Sequence, residues 1–209
     1  LACDGDVLIL FGDTPLVTTE TLRRLLDKKD QEKDLGVLVL GMIPEGSHSY
    51  ARLKTTADGY LDAIVEDKDT NEEEKKITFC NSGVMLIEGK LLKDLLPKIT
   101  PNNAQGEYYL TDLVKLAKDA GRKCGYVTGK EEEFMGINSR EDLATVETLL
   151  QNQWRRKFMS EGVTLRDPSS VYFSYDTEIA HDVTLHPGVV FGPKVKIETG
   201  AEILPSLIA

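Results

Sequence analysis

Apolar residues recur at every sixth position near the end of the chain, and this period constrains the fold more than any other feature. The first register holds Ile179, Leu185, Phe191, Ile197 and Ile203, and the second holds Val183, Val189, Val195, Ala201 and Leu207. A six-residue period is typical of a left-handed parallel β-helix, in which three hexads form one coil and each coil stacks on the next. We therefore predict that residues 162–209 form the first coils of such a solenoid.

The solenoid pattern covers fewer than two coils, and the chain opens on Leu1, almost directly before a predicted strand. A solenoid needs a terminal repeat with a polar outer face, and this pattern shows none. We therefore expect the natural protein to extend beyond both ends of this sequence.

The first half of the chain alternates between strand and helix patterns. An unbroken apolar run over residues 7–11 suits a strand buried on both faces, as in a parallel sheet covered by helices. Thr18 or Thr19 can cap the helix that follows. The predicted buried stripe of this helix is Leu22, Leu25 and Leu26. Residues 36–42 form a second strand, and the strand–helix–strand order predicts a doubly wound α/β sheet.

Charge and composition argue against several classes of partner. The chain has 25 basic and 35 acidic residues and a formal net charge of −10, so we expect neither nucleic acid nor an anionic membrane as a partner. No apolar run reaches the roughly 20 residues of a membrane span. Cys3, Cys80 and Cys124 fit neither a zinc site nor a disulfide framework, which favours a reducing, cytoplasmic location.

Two carboxylates directly follow predicted strands. Asp13 comes after the first strand, and ligands of open α/β sheets bind at the carboxyl ends of strands. The alternative is that Asp13 only caps a turn, because Asp beside Gly and Pro is common in turns. Glu66 follows the second strand of a hairpin whose turn is predicted at Asp58-Gly59. It could face a cleft, or it could belong with the charged run at residues 67–76, which we predict to be mostly a solvated loop.

Further polar residues interrupt or border the predicted elements. Asn81 and Ser82 lie inside an apolar strand, where they need hydrogen bonds to a neighbouring loop or to a polar ligand. Tyr109 belongs to a loop rich in Gly and Asn, and it could pack internally or form a platform for a sugar. Thr111 is predicted to cap the helix that follows this loop.

Asn138 precedes a predicted helix in which Ser139 and Asp142 match a capping box. The N–H groups and the dipole at such a helix end favour phosphate, and an amide oxygen there can bind a hard cation. Magnesium takes one or two protein oxygens and completes its shell with phosphate and water. Asp13 with Asn138 would be such a set, and the alternative is that Asn138 only marks the entry to the helix.

Seven strings, in one order across nearly the whole chain, carry a resemblance to a known enzyme family. They are residues 12–16, 50–52, 64–69, 81–83, 102–112, 136–140 and 162–168. On these strings the chain resembles the bacterial bifunctional N-acetylglucosamine-1-phosphate uridylyltransferase/glucosamine-1-phosphate acetyltransferase family. The resemblance implies an α/β fold with three parts. They are a partial, Rossmann-like nucleotidyltransferase sheet over residues 1–138, a linking helix over 139–161 and the start of the left-handed parallel β-helix over 162–209.

The resemblance also implies roles for individual residues. Asp13 and Asn138 match the family's magnesium ligands, and Glu66 and Asn81 match residues that hold the N-acetylglucosamine moiety. The other positions that match substrate contacts are Phe11, Gly12, Ala51, Tyr109 and Thr111. The implied reaction is attack of N-acetylglucosamine 1-phosphate on the α-phosphate of UTP with Mg²⁺, which gives UDP-N-acetylglucosamine and pyrophosphate. The implied assembly is a homotrimer formed through the solenoid.

Two departures from the family pattern matter for this expectation. Ala51 stands where the family has the second glycine of Gly-Tyr-Gly-Arg, and alanine fits there only if its φ is negative. The family's Gly-rich phosphate loop and uracil-contacting segment have no counterpart in the 209 residues, and most of the acetyltransferase solenoid is also missing. We therefore expect that these residues alone do not catalyse uridylyl transfer.

Three alternatives remain open on the sequence. The nearest is another sugar-nucleotide pyrophosphorylase with a solenoid tail, although Asn81 and Glu66 favour an acetamido sugar. A plain hexapeptide acyltransferase is a second alternative, and the long α/β segment argues against it. A non-catalytic module that only trimerises is the third.

Overall fold

The computed structural model describes residues 4–46 and 48–208, and the chain divides into two compact units, Leu1–Gly136 and Ile137–Ala209. Cys3 lies outside the described residues. Cys80 and Cys124 are buried and form no disulfide, and burial raises the pKa of the Cys124 thiol to about 12. The helices of the described residues include none that is long and apolar enough to cross a membrane.

The first unit is a mixed sheet with helices on both faces. Its elements are β1 (Asp6–Ile9), α1 (Thr19–Gln31), β2 (Leu35–Met42), β3 (Arg52–Thr55), β4 (Leu61–Val65), β5 (Cys80–Glu88), α2 (Gly89–Leu95), α3 (Asp112–Asp119) and β6 (Lys123–Thr128). The strands lie in the order β4-β3-β5-β2-β6, and β1 also pairs with β5. Strands β3 and β4 form the predicted hairpin, and Gly59 takes a φ of +83° in its turn.

Strand β5 lies between β1 and β2. Met85 of β5 pairs with Ile9 of β1 on one side and with Val39 of β2 on the other, and both pairings are antiparallel. Consequently β1 and β2 run in the same direction, as does β6, which pairs with β2 in parallel. The parallel pairing predicted for the first strand is wrong, because β5 comes later in the chain and inserts between the two strands.

The burial of β1 also differs from the prediction. Its residues are exposed or only partly buried, and Leu10 and Phe11, which follow it, are 44% and 51% exposed. Among the described residues, β1 has a hydrogen-bonded neighbour on one side only, so its apolar run is not enclosed. The residues that bring β1 to its end are therefore accessible at the edge of the sheet.

Strand β2 is buried along its whole length, and its alternating side chains serve two faces of the sheet. Val37 and Val39 pack into a cluster with residues of α2 and α3, and Leu38 and Leu40 pack into a second cluster with Leu25 of α1. A strand covered on both faces reads as a continuous apolar run, which explains the sequence pattern.

Helix α1 begins as predicted, but its buried stripe is different. Thr18 caps the helix by accepting a hydrogen bond from the Thr21 N–H, at 3.2 Å. The buried line runs through Thr21, Leu25 and Lys29, at four-residue intervals, whereas Leu26 is 43% exposed. The prediction that Leu26 faces the core is wrong, because one residue turns a helix by about 100° and takes Leu26 off this line.

The second unit combines one long helix with short strands. Its elements are α4 (Arg140–Ser160), β7 (Thr164–Leu165), β8 (Glu178–Ile179), β9 (Thr184–Leu185), β10 (Val190–Phe191), β11 (Lys196–Ile197), β12 (Glu202–Ile203) and β13 (Leu207–Ile208). All of the strands pair in parallel. Glu178 pairs with Lys196 and Thr184 with Glu202, 18 residues apart in both cases.

Two buried polar side chains attach α4 to the segment between β7 and β8. The Gln151 amide donates to the Phe173 carbonyl at 2.8 Å and accepts from the Phe173 N–H at 2.9 Å. The Arg155 guanidinium donates to the Val171 carbonyl from two nitrogens, at 3.0 and 2.9 Å. Side chains of this length fix the helix because they satisfy backbone groups that would otherwise be buried without partners.

Candidate functional site

The end of β1 meets the start of β5, which brings predicted site residues together. Gly83 has a φ of +89°, and a Cβ atom at this position would lie 2.2 Å from a ring carbon of Phe11. The Phe11 ring therefore lies directly against the Gly83 backbone, which only glycine permits. Asn81 stabilises the same part of β5, because its side-chain oxygen accepts a hydrogen bond from the Gly83 N–H at 3.2 Å.

Asp13 lies in the exposed loop between β1 and α1, beyond Gly12, which is also exposed. The hydroxyl that bonds across this turn belongs to Thr14, which donates to the Phe11 carbonyl at 3.2 Å. A turn closed by Thr14 leaves the Asp13 carboxylate directed to solvent at the end of the strand. The ligand role of Asp13 stays a prediction.

Ala51, Glu66 and Asn81 come from three neighbouring strand ends. Arg52 pairs with Val65, so Ala51 and Glu66 are the next residues beyond that pair. The Asn81 N–H donates to the Ala51 carbonyl at 2.8 Å. Among the described non-glycine residues, positive φ occurs only in the second unit, so Ala51 has the negative φ that an alanine requires here.

Thr111 extends this edge through a side-chain bond. Its hydroxyl donates to the Glu66 carboxylate at 2.7 Å, although 45 residues separate the two in sequence. Thr111 does precede α3, but its side chain makes no capping hydrogen bond to that helix. The prediction that Thr111 caps α3 through its side chain is wrong, because the Glu66 carboxylate takes its hydroxyl.

The loop before Thr111 is organised by its own side chains. The Asn103 side-chain oxygen accepts from the N–H groups of Gln105 and Glu107, at 3.1 and 3.2 Å. The Gln105 amide donates to the Tyr109 hydroxyl at 2.8 Å. Tyr108 is 72% exposed. Core packing therefore does not explain Tyr108, and the Tyr109 hydroxyl is held by Gln105 within the loop.

The charged run at residues 67–76 divides into two parts. Glu72 and Glu73 pair with Lys75 and Lys76 at exposed positions, three residues apart, as a solvated loop would. Residues 67–69 instead form a 3-10 turn whose side chains bond to β3 and to the 103–111 loop. The prediction of a solvated loop is therefore wrong for these three residues, and sequence reasoning gave no signal of their partners.

Asn138 lies at the start of the second unit and precedes Ser139, the N-cap residue of α4. Ser139 and Asp142 form the predicted capping box, and Asp142 also accepts from the Asn138 N–H at 3.0 Å. These backbone N–H groups, above all that of Asn138, lower the pKa of the Asp142 carboxyl. The prediction that these N–H groups are open to phosphate is wrong at Asn138 and Ser139, because Asp142 already accepts from both.

Asp13 and Asn138 belong to different compact units, so their shared magnesium site remains a prediction. Residues 4–46 and 48–208 contain no cluster of three or more His, Cys, Asp or Glu side chains suited to a metal. A site of one carboxylate and one amide lies below that size. The candidate site of the first unit thus contains Phe11, Gly12, Asp13, Ala51, Glu66, Asn81, Tyr109 and Thr111.

Comparison with known proteins defines the class of this fold. No protein-family model matches the chain. A solved structure of CMP:2-keto-3-deoxy-manno-octonic acid synthetase complexed with CTP superposes with a TM-score of 0.52 at 12% identity. The superposition covers 73% of this chain and 64% of the synthetase chain. Similarity at this level shows the fold alone, and the fold is that of a Rossmann-like nucleotidyltransferase sheet.

Relatives by sequence narrow the class to one family. The bifunctional protein GlmU of Paramagnetospirillum magneticum is 46% identical over 200 residues, and that of Rhodospirillum rubrum is 48% identical over 181 residues. The match covers 96% of this chain and 44% of the first relative, and 87% and 40% for the second. The chain therefore belongs to a nucleotidyltransferase enzyme family. That family is the one whose members are named bifunctional protein GlmU, and the chain spans less than half of their length.

Proposed function

We propose that the chain forms the sugar-binding side of a magnesium-dependent uridylyltransferase site. The reaction joins UTP and N-acetylglucosamine 1-phosphate to give UDP-N-acetylglucosamine and pyrophosphate. The observation that carries this proposal is the convergence of Ala51, Glu66, Asn81 and Thr111 at one edge of the sheet, through hydrogen bonds of 2.7 to 2.8 Å. Carboxylate, amide and hydroxyl groups in one place are the groups that recognise sugar hydroxyls and an acetamido group.

Each residue has a defined task in this proposal. Glu66 and Asn81 bind the sugar, and Thr111 orients the Glu66 carboxylate by donating to one of its oxygens. Phe11, fixed against Gly83, provides an apolar wall next to them. A phosphate oxygen of the sugar 1-phosphate attacks the α-phosphorus of UTP and pyrophosphate departs. The protein therefore contributes mainly by positioning the two substrates.

Asp13 and Asn138 are the proposed magnesium ligands. Their side-chain oxygens are the type that a hard cation prefers, and both residues are exposed. Magnesium bound there would neutralise negative charge on the phosphates.

The proposal also covers what the 209 residues do alone. They contain no Gly-rich loop able to hold a triphosphate, and removal of even one preorganised donor commonly costs about 10²–10³ in rate. The accessible edge at β1 should also make the isolated polypeptide prone to associate, because strand edges with unpaired backbone groups bind other chains. We therefore propose that this polypeptide, by itself, binds the sugar side of the substrates without rapid turnover.

The second unit is proposed to be the first coils of the left-handed parallel β-helix of an acetyltransferase, which trimerises the protein. The pairing of short parallel strands 18 residues apart agrees with three hexads per coil. Tyr172, Val190 and Leu207 lie in one paired column and are 47%, 40% and 74% exposed. An apolar column of this kind favours contact with another protein surface. Sedimentation should give a trimer, and a charged residue in the column, Val190→Glu, should give a monomer.

The binding proposal is tested by isothermal titration with Mg²⁺ and either N-acetylglucosamine 1-phosphate or UDP-N-acetylglucosamine. Thr111→Val should weaken binding about tenfold because it removes the donor to Glu66. Thr145→Val is the matched control, since Thr145 is an exposed threonine of α4. Absence of binding of both ligands to the unaltered protein, or equal affinities of the two variants, would contradict the proposal. UDP-glucose and dTDP-glucose identify a different pyrophosphorylase if either binds more tightly.

A pyrophosphate-release assay tests the claim about turnover. The 209-residue protein, UTP, N-acetylglucosamine 1-phosphate and Mg²⁺ should release little pyrophosphate. A rate close to that of a complete relative would overturn the claim.

A further inference from the structure

Four consecutive residues connect the candidate sugar site to two other parts of the first unit, strand β3 and the 103–111 loop. These residues, 66–69, are named the anchor segment here. Their partners, in order, are Thr111 for Glu66, Arg52 for Asp67, Gln105 for Lys68 and the backbone N–H of Ala104 for Asp69. Consecutive side chains that each bond to a distant residue are not expected of a solvated loop, where pairs form within a turn.

The strand end of the anchor segment is fixed by a buried charge. Arg52 is 5% exposed, and its guanidinium donates to the Asp67 carboxylate at 3.0 Å and to the Tyr50 carbonyl. Its Nε atom is buried and has no hydrogen-bond partner among the described residues. A buried guanidinium with incomplete hydrogen bonding depends strongly on its carboxylate. Asp67 therefore holds the end of β4, and with it Glu66, against β3.

The other end of the anchor segment holds the 103–111 loop. The Asp69 carboxylate accepts from the Ala104 N–H at 2.9 Å, and the Lys68 ammonium donates to the Gln105 side chain. Gln105 in turn donates to the Tyr109 hydroxyl at 2.8 Å. Residues 104–108 are exposed, so these bonds attach that stretch of the loop to the anchor segment.

We propose that Asp69 is a positioning residue, and that the anchor segment orders the 103–111 loop over the sugar site before substrate binds. This inference rests on the proposed function, and it adds a source of affinity that touches no substrate atom. Fixing the backbone of a residue costs conformational entropy. When the anchor segment has already ordered the loop, the substrate does not bear that cost.

The first experiment measures the loop without any ligand. Hydrogen–deuterium exchange of the 103–111 amides is compared in the unaltered protein, Asp69→Ala, Asp69→Asn and Glu73→Ala. Glu73 is the matched control, because it is an exposed acid of the same charged run. Asp69→Ala should exchange the Ala104 amide at least about tenfold faster. Asp69→Asn should remain close to the unaltered protein, since its amide oxygen still accepts the Ala104 N–H.

The second experiment measures the affinity of the same four proteins for N-acetylglucosamine 1-phosphate. Asp69→Ala should bind about tenfold more weakly, which is the effect of one ordinary hydrogen bond. Its melting temperature should change little because Asp69 is exposed. Asp69→Asn should restore the affinity, and Glu73→Ala should leave it unchanged.

The outcomes separate this inference from the proposed function. Unchanged exchange in Asp69→Ala, or faster exchange with unchanged affinity, would overturn the positioning role. If the unaltered protein binds no sugar phosphate, the proposed function fails and the positioning role fails with it. The exchange data would then still decide whether the anchor segment orders the loop.

Discussion

The two units of this chain acquire their order in different ways. In the first unit, the bonds around the candidate site join residues far apart in sequence, such as Glu66 with Thr111 and Asp69 with Ala104. In the second unit, the parallel strand pairs join residues 17 to 20 positions apart, and the separation is 18 in two of the four pairs. In a repeat protein, one local period determines which strands become neighbours. The strand order of a mixed sheet, in contrast, is not encoded in any local pattern.

The contrast is not complete, because the second unit also contains a junction of the non-repeating kind. Gln151 and Arg155 attach α4 to the segment between β7 and β8 through backbone groups of Val171 and Phe173. If long-range contacts stabilise this junction as they do the first unit, removal of a junction side chain should lower the free energy of unfolding more than truncation of a buried residue of the six-residue register. The predictions below test that ranking, from the largest expected effect to the smallest.

Gln151→Ala should lower the free energy of unfolding of the second unit by about 2–4 kcal/mol, because it leaves the buried N–H and carbonyl of Phe173 without partners. Urea titration followed by the fluorescence of Trp154, the single tryptophan, measures this unit. Gln153→Ala is the control, since Gln153 is exposed on the same helix and its loss should cost less than about 0.5 kcal/mol. If the two variants lost the same free energy of unfolding, the junction would matter no more for stability than an exposed position of the helix.

Gly83→Ala should destabilise the first unit by about 2–3 kcal/mol, because the new methyl group meets the Phe11 ring and φ is +89°. Gly106→Ala, with a φ of +67° and open space around it, should cost about 1–2 kcal/mol from backbone strain alone. Circular dichroism during urea unfolding measures both. In a Phe11→Ala background, Gly83→Ala should cost no more than Gly106→Ala, because the ring that the new methyl group meets is gone. If the cost stayed at its full value, the close contact between Phe11 and Gly83 would not be its cause.

Val189→Ala should cost the second unit about 2 kcal/mol, since Val189 is fully buried and loses two methyl groups of packing. In the Val190→Glu background, which removes the proposed trimer contact, Leu207→Ala, in the same register but 74% exposed, should cost less than about 0.5 kcal/mol. Trp154 fluorescence during urea unfolding measures both variants. A similar loss at the two positions would mean that the period, rather than burial, sets stability.

The smallest predicted effect is a pH dependence from the α4 capping box. Hydrogen bonds from the backbone N–H of Asn138 and from Ser139 hold the pKa of Asp142 below its usual 3.8. Its contribution to stability is therefore complete above the unfolded pKa, and it is lost as the pH falls through the lowered folded pKa. Between about pH 5 and pH 2, the unaltered protein should lose stability more steeply than Asp142→Ala. Parallel pH profiles of the Trp154 unfolding midpoints would contradict this origin.

Local patterns predicted the features that depend on neighbouring residues. The β3–β4 turn at Gly59 and the Ser139–Asp142 capping box both require only a few residues to recognise. Glu66 and Asn81 also lie at strand ends that share one edge, where the sequence suggested a polar ligand. The residues that they bond to at that edge could not be predicted from the sequence immediately around them.

The predictions that failed depend on residues far along the chain. The pairing of β1 depends on β5, and the Thr111 hydroxyl bonds to Glu66 rather than to α3. Asp69 looked like part of a solvated charged run because its partner, the Ala104 N–H, lies 35 residues later. In each case a tertiary contact displaced a local preference, which is the usual limit of reasoning from one sequence.

The position of β5 has a consequence for the order of events during synthesis. Strand β2 ends at Met42, and the strand that joins it to β1 does not begin until Cys80. A ribosome-bound chain that has not reached Cys80 therefore carries two apolar strands without the one that lies between them. Such unsatisfied edges invite association with other chains, and closure of long-range pairs is slow. The step that commits the first unit to its native sheet is the emergence of residues 80–88, not of the β1–α1–β2 segment that precedes them.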